Sequence, residues 1–321
     1  MGVEYRFELA LAAHLEREGR LVSRQLGAQI AGRRIVDLVC VEPGVEFDQR
    51  AALTAETIPP LAIESDVGSG EARYWKDAFD CHPSRAETAV ERAVECGFFE
   101  RERRNGRTYV RQVSRYPDWV DQLIAIENKP DLASPGDLER QLRTDVSFAV
   151  FDRVVLATAS HVTGAHRNRI PDEVGIWQFD PETDERTVLR EATLLDTGRS
   201  GIEICDWQSD KTDIRVTTPP EKQRVRRRIA ERAYGKGWRT YDLPRCANIN
   251  PDEDGLPYCA WHGQVVRPAT DCGPECGGYE PADSPAIDRE RLRDGRTPWQ
   301  ANPEGLARTQ VGLSRYADSS K

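Results

Sequence analysis

The sequence predicts an α/β protein built around a mixed sheet flanked by helices, with one module inserted into it and a cysteine-rich module after it. Three observations carry that reading. Over 1–41 and 119–200 the chain runs as helix, strands, helix, strand, the order of an α/β layer structure. Residues 154–158 form a short continuous apolar run, the pattern of a strand buried on both faces. Between these stretches, residues 42–118 turn polar and proline-containing and carry a hairpin signal of their own at Asn105-Gly106.

Taken in order, Val3, Phe7, Leu11 and Leu15 lie on one helical face and Gly19 supplies a stop, so the first element is a helix over 3–18. Residues 20–29 and 34–41 read as two strands joined through Ala31-Gly32. In the second, Ile35, Asp37 and Val39 share a face, which leaves Asp37 as a lone carboxylate in an apolar strand. In the inserted module, helices over 73–79 and 84–95 precede strands at 98–104 and 107–113. Two helices followed by an arginine-bearing hairpin resemble a winged helix, with Arg101, Arg103, Arg104, Arg107 and Arg111 on the wing as candidate DNA contacts; a solvated hairpin face is the simpler alternative. The main pattern resumes at Trp119 with an apolar strand ending in Glu127-Asn128-Lys129. Ser134-Pro135-Gly136-Asp137 supplies an N-cap, a proline at the first helical position and an acid at the third, opening a helix with Leu138, Leu142 and Val146 on one face. Residues 175–179 and 187–190 pair as a hairpin around Asp180-Pro181. Residues 201–281 hold a basic helix at 220–234 (Lys222, Arg224, Arg226, Arg227, Arg228, Arg232), in which Glu221 and Glu231 allow a salt-bridged surface face, and then the cysteine cluster. From 282 on, Pro, Asp, Arg, Ser and Gly dominate, the composition of a flexible tail.

Charge and length narrow the function. The 321 residues carry a formal charge of −9 with acids spread throughout, which excludes a wholly basic nucleic-acid coat and confines any such contact to local patches. Nothing approaches the ~20 apolar residues of a membrane span, and no targeting segment is visible, so a soluble, cytoplasmic protein is expected. Only six of the 45 basic residues are lysines, which makes Lys129 at a strand end conspicuous. Cys40, Cys81, Cys96 and Cys205 are scattered and read as packing residues. His161 and His166 lie in a polar loop and read as surface residues.

Two constellations carry chemistry. Residues i and i+2 of a strand share a face, so Glu127 and Lys129 project together from a segment otherwise built for burial. Burying such charges is costly without a task or a partner. With Asp37 on an adjacent strand, Glu127 can hold a hard divalent cation such as Mg2+ or Mn2+, and Glu8 of the first helix can add a further ligand. A water on that metal becomes a nucleophile, and Lys129 can orient it or neutralise a phosphate. The bland alternative is a solvated strand-end pair and a turn-capping Asp37. Second, Cys246-x12-Cys259, His262 and Cys272-x3-Cys276 crowd a Gly/Pro-rich segment, which suits a tetrahedral Zn2+ with His262 as a spare ligand, or a 4Fe-4S cluster.

On Glu8, Asp37 within Ile35-Val36-Asp37-Leu38, Glu127-Asn128-Lys129 and the helix and strand that follow, the chain resembles the PD-(D/E)xK nuclease superfamily. The resemblance implies a restriction-endonuclease-like core, similar to RecB-type nucleases and Holliday-junction resolvases. It gives Asp37, Glu127 and Glu8 to the metal and Lys129 to the attacking water. Gln141 looks like the helix glutamine of RecB-type members, although Asp145 stands where an aromatic follows it there, and Val36 replaces the proline often found before the Asp. What is implied is a metal-dependent nuclease acting on DNA, possible as a homodimer. The rivals are a catalytically idle DNA-binding or regulatory protein on the same fold, and a zinc-stabilised interaction protein that binds no nucleic acid.

Overall fold

The computed structural model describes residues 2–54, 56–134 and 136–297. They divide into two compact units, residues 2–44 with 120–297, and residues 45–119. In the first unit, helix α1 (Gly2–Arg17) buries Phe7, Leu11 and Leu15 but leaves Val3 exposed, so its apolar face starts one turn later than the sequence pattern. Gly19, at φ +84°, takes the left-handed turn that ends it. Strands β1 (Leu21–Gly27) and β2 (Ile35–Pro43) then pair antiparallel, Arg24 opposite Leu38 and Leu26 opposite Val36.

The second unit holds α2 (Phe47–Leu53), α3 (Pro60–Glu64), β3 (Arg73–Tyr74), α4 (Pro83–Glu95), β4 (Phe99–Arg104) and β5 (Arg107–Gln112). Its three strands are ordered β3-β5-β4. The helix expected over 73–79 does not form: Arg73 and Tyr74 pair with Val110 and Tyr109 of β5, and only Trp75–Asp77 makes a 3-10 turn. Strand pairing wins because it closes the sheet over the small core of Ile58, Ala62, Val90, Ala93, Phe98 and Val110. Asn105 and Gly106, both at positive φ, make the tight turn between β4 and β5.

Back in the first unit come β6 (Val120–Asn128), α5 (Leu138–Phe148), β7 (Arg153–Thr158), α6 (Gly164–Arg167), β8 (Gly175–Asp180) and β9 (Glu185–Arg190). They complete a six-stranded mixed sheet, ordered β1-β2-β6-β7-β8-β9. Strands β6, β7 and β8 are parallel and the outer pairings antiparallel, with the apolar run of β7 in the middle. Helix α5 begins at Leu138 with Asp137 at its N-cap, a turn later than the Ser134 motif suggests; Pro135 lies outside the described residues. Next are β10 (Gly201–Trp207), β11 (Thr212–Thr217), α7 (Pro219–Lys236), β12 (Ile249–Pro251), β13 (Pro257–Cys259), β14 (Gln264–Val265), α8 (Pro268–Asp271) and α9 (Arg289–Asp294). The β10–β11 hairpin has no counterpart in the sequence reading. Gly201 is required where it starts, since a Cβ there would collide with the Phe148 carbonyl oxygen. The supposed tail is ordered at α9, where Asp288 caps the helix and Arg289 donates to the Tyr241 carbonyl oxygen; residues 298–321 lie outside the described residues. Among the described residues no helix is long and apolar enough to cross a membrane.

The main core lies between α1 and the sheet: Phe7, Leu11 and Leu15 meet Leu38, Cys40, Ile124, Ile126, Val155, Trp177 and Phe179. Ile124 and Ile126 thus turn toward α1. Strand alternation then sends Glu127 to the opposite side, toward α5. The basic helix α7 has two faces: Lys222 is fully buried and donates to the Asp196 and Arg199 carbonyl oxygens and Arg226 donates to Asp152, while Arg224, Arg227 and Arg232 are exposed.

A candidate carboxylate site at the end of β6

Strands β2 and β6 run antiparallel with Leu38 opposite Ile126, and one residue further this register sets Asp37 opposite Glu127. Asp37 is held by neutral donors: Oδ2 accepts the Asn128 N–H at 3.0 Å and Oδ1 accepts Gln25 Nε2 at 3.2 Å. Gln25 is a non-glycine residue at φ +52°, a conformation that costs energy and persists where the surroundings enforce it. Glu127 accepts from Arg34 at 2.6 Å through Oε2, and Oε1 has no donor among the described residues. The same guanidinium spans to Asp145 of α5 at 2.8 and 3.2 Å. From the other side of the sheet Glu8 pairs with Arg24, and Glu4 with Lys129 Nζ at 2.9 Å.

These acids are electrostatically short of cations. Burial pushes the Glu127 carboxyl up to about 8, outweighing the pull of Arg34, and Asp37 and Asp145 add to the rise. Asp145, Asp37 and Glu8 are raised as well, each first by burial. Arg34 stays charged, because Asp145 and Glu127 together outweigh the cost of its own burial. One guanidinium therefore serves two buried carboxylates, and among the described residues no cation hydrogen-bonds to Asp37. Beside them Asn128 is 7% exposed, and neither polar atom of its side chain finds a partner among the described residues. Unsatisfied buried amide groups of this kind cost ~1–3 kcal/mol each.

Asp37 and Glu127 are brought together as the strand pattern required. Lys129 is not bonded to Glu127; it continues the ladder through its N–H to Ala157 O and turns its ammonium to Glu4 at the edge of the cluster. Glu8 joins the cluster electrostatically through Asp37 but is committed to Arg24. Gln141 is half-buried on α5, and its side chain makes no hydrogen bond among the described residues. Asp145, one turn on, takes the place in the cluster. Arg34 and Asp145 are the two residues that sequence reasoning missed. For Asp145 a signal existed: it extends the Leu138, Leu142 spacing, so a charge falls where the helix pattern calls for an apolar side chain.

On the β4–β5 hairpin all five arginines are exposed. Arg111 pairs with Glu100 at 3.0 Å, Arg104 with Glu102, and Arg107 lies over the Tyr74 ring at 5.5 Å. Arg101 and Arg103 have no ion pair among the described residues. Cys205 is exposed on β10, not a packing residue, whereas Cys40 and Cys96 are buried. His161 is exposed, and His166 closes a capping box with Thr163 at the start of α6. Among the described residues, no three His, Cys, Asp or Glu side chains stand close enough together to coordinate a metal as they are.

Residues 21–281 match a family described as "Family of unknown function (DUF5787)". The chain belongs to this family. The DUF5787 match contains Arg34, Asp37, Glu127, Lys129, Asp145 and the four clustered cysteines, and it begins after Glu4 and Glu8 of α1. A 124-residue stretch of this DUF5787 chain is 27% identical to serine protease inhibitor 88Ea of Drosophila melanogaster, covering 37% of the chain and 26% of that protein. The chain thus spans about a quarter of the length of the curated relative it matches. No solved structure matches it.

Proposed function

We propose that this DUF5787 chain is a divalent-metal-dependent nuclease acting on DNA, with a restriction-endonuclease-like core in which Asp37 and Glu127 hold Mg2+ or Mn2+. The observation that carries the reading is the cross-strand placement of Asp37 opposite Glu127 within a buried, under-neutralised carboxylate cluster. The donor set is right for a hard cation, since all the candidate ligands are carboxylate oxygens. When bound, the cation supplies charge neutralisation at a phosphate and a water of lowered pKa. Asp37 is presented by the Asn128 N–H and Gln25, with no cation among the described residues to displace. Glu127 offers its unbonded Oε1, and Asp145 gives Arg34 somewhere to remain when Glu127 turns to a metal. Lys129, tethered at the rim by Glu4, provides a mobile positive charge for a phosphate. Glu8 supports the cluster through Arg24, and Gln141 stands free to donate a hydrogen bond.

The inserted unit supports DNA as the substrate. Its order α2, α3, β3, α4, β4, tight turn, β5 with sheet order β3-β5-β4 resembles a winged helix, and Arg101 and Arg103 on the turn-bearing strand are available to phosphates. One observation favours the rival, an idle DNA-binding protein: the Arg34 guanidinium lies directly on Glu127. Activity separates them. The full chain should nick or degrade plasmid DNA in Mg2+ or Mn2+ but not in EDTA, and Asp37→Asn or Glu127→Gln should lower the rate at least a hundredfold while DNA binding persists. DNA binding with no cleavage in either metal would establish the rival.

A further inference from the structure

A second set of chemically competent side chains sits in residues 246–281, remote in sequence from the carboxylates and unused by the reaction above. The small sheet β12–β13–β14 sets Ile249 opposite Cys259 and Cys259 opposite Gln264. The chain then returns on itself, so that Cys246 bridges to Pro281, Ala247 N–H donates to Glu280 O at 2.8 Å and Asn248 Nδ2 to Gly278 O at 2.8 Å. This closure draws the ends of the segment together with Cys246 between them. Cys272 packs against the cluster of Ile249, Cys259 and Val266, and His262 Nε2 lies 3.6 Å from Cys276 Sγ.

What this segment lacks is a core of its own at its far end. Of residues 269–280 only Gly278 is buried, and after α8 no helix or strand follows until α9. Cys272 and Cys276 stand within this stretch, one turn apart, with the Cys276 N–H bonded to Gly273 O at 3.0 Å. All four thiols are free of disulfides, Cys246 and Cys259 buried and Cys272 and Cys276 half-buried. Their sulfurs are not gathered at bonding distance, and a metal would have to draw them inward.

We propose that Cys246, Cys259, Cys272 and Cys276 form a tetrahedral site for one Zn2+, with His262 donating its Nε2–H to the Cys276 sulfur rather than ligating. Binding converts four S–H groups to four Zn–S bonds and releases four protons to solvent, with no change of oxidation state. The site ties the uncored 269–280 stretch to the end of β13 and to the 246/281 closure, so the ion takes the place of an apolar core. His262 offsets part of the negative charge that four thiolates leave on the complex.

Elemental analysis of the untagged full chain tests this. About one zinc per chain is expected, released in full by about four equivalents of an organomercurial and detected with a chromogenic chelator. Cys246→Ser and Cys272→Ser should each lower zinc content at least tenfold, Cys81→Ser should leave it unchanged, and His262→Asn should keep the stoichiometry but release zinc several-fold faster. Chelator-stripped wild-type chain should become cleavable by protease within 269–280, and added Zn2+ should restore protection, a readout that does not depend on the serine variants folding. Zinc absent from the purified chain with no protection on adding it, iron and sulfide with visible absorption in its place, or zinc retained by Cys246→Ser and Cys272→Ser would each overturn the proposal. Loss of the metal in His262→Asn would overturn the all-cysteine ligand set.

Discussion

Replacing Arg34 with methionine keeps the aliphatic stem and removes the guanidinium on which Glu127 and Asp145 both rely. The two carboxylates are 6% and 4% exposed, so water cannot take over the lost charge. Removing one partner of a buried ion pair costs ~3–5 kcal/mol, because the other charge is left uncompensated. For a chain of this size each kcal/mol moves the midpoint by roughly 2–4 °C, so Arg34→Met should lower Tm in EDTA by about 6–20 °C. Two controls identify the cause. Adding Glu127→Gln and Asp145→Asn to Arg34→Met should recover most of the loss, since neutral amides need no counter-charge. Mn2+ should raise the Tm of Arg34→Met more than that of the wild type, because the ion then meets carboxylates with no competing guanidinium. Thermal unfolding followed by circular dichroism reads all of this. A drop of less than 2 °C, or a triple variant no more stable than the single one, would refute the reasoning that Arg34 is the counter-ion of the cluster.

Two other outcomes are expected. Arg101→Ala with Arg103→Ala should weaken DNA binding and reduce the slope of log K against log salt by about 2, at ~0.9 for each phosphate no longer neutralised; binding isotherms at four salt concentrations check it, and an unchanged slope makes the hairpin a plain surface feature. Glu18 is held near 2 by His14, Arg186 and Arg20, so its folded pKa lies below the unfolded one. Its contribution is therefore present above about pH 4.5 and lost as pH falls toward 2. Glu18→Gln should lower Tm by about 1–4 °C at pH 7, with the two melting curves converging near pH 2; a constant difference across that range would contradict the assignment.

The strand pattern made the site's centre legible. Asp37 and Glu127 are charges inside apolar runs, and period-two alternation is enough to put each on a defined face. Arg34 was not legible, because it precedes β2 in a connection and is one of many arginines whose partners only the fold reveals. Asp145 was half-legible as a charge at an apolar helix position. The helical pattern at 73–79 belongs to the segment in isolation, whereas pairing with β5 decides its conformation. The β10–β11 hairpin was missed because its faces are split: Ile202, Ile214 and Val216 are exposed while Glu203 is fully buried, taking N–H groups from Ile30, Ala31 and Gly32, the reverse of the usual apolar-in pattern. The cysteines were conspicuous by crowding, but their grouping around one closure depends on the Cys246 to Pro281 bridge, which no local pattern encodes.

Anomalous diffraction from a crystal of the full chain soaked in Mn2+ decides whether Asp37 and Glu127 serve a divalent cation. A manganese peak bonded to oxygens of both carboxylates is expected, with Arg34 turned from Glu127 to Asp145 alone, and no such peak in Asp37→Asn crystals. A map without manganese at these residues, with Arg34 still on Glu127 at saturating Mn2+, would contradict that role.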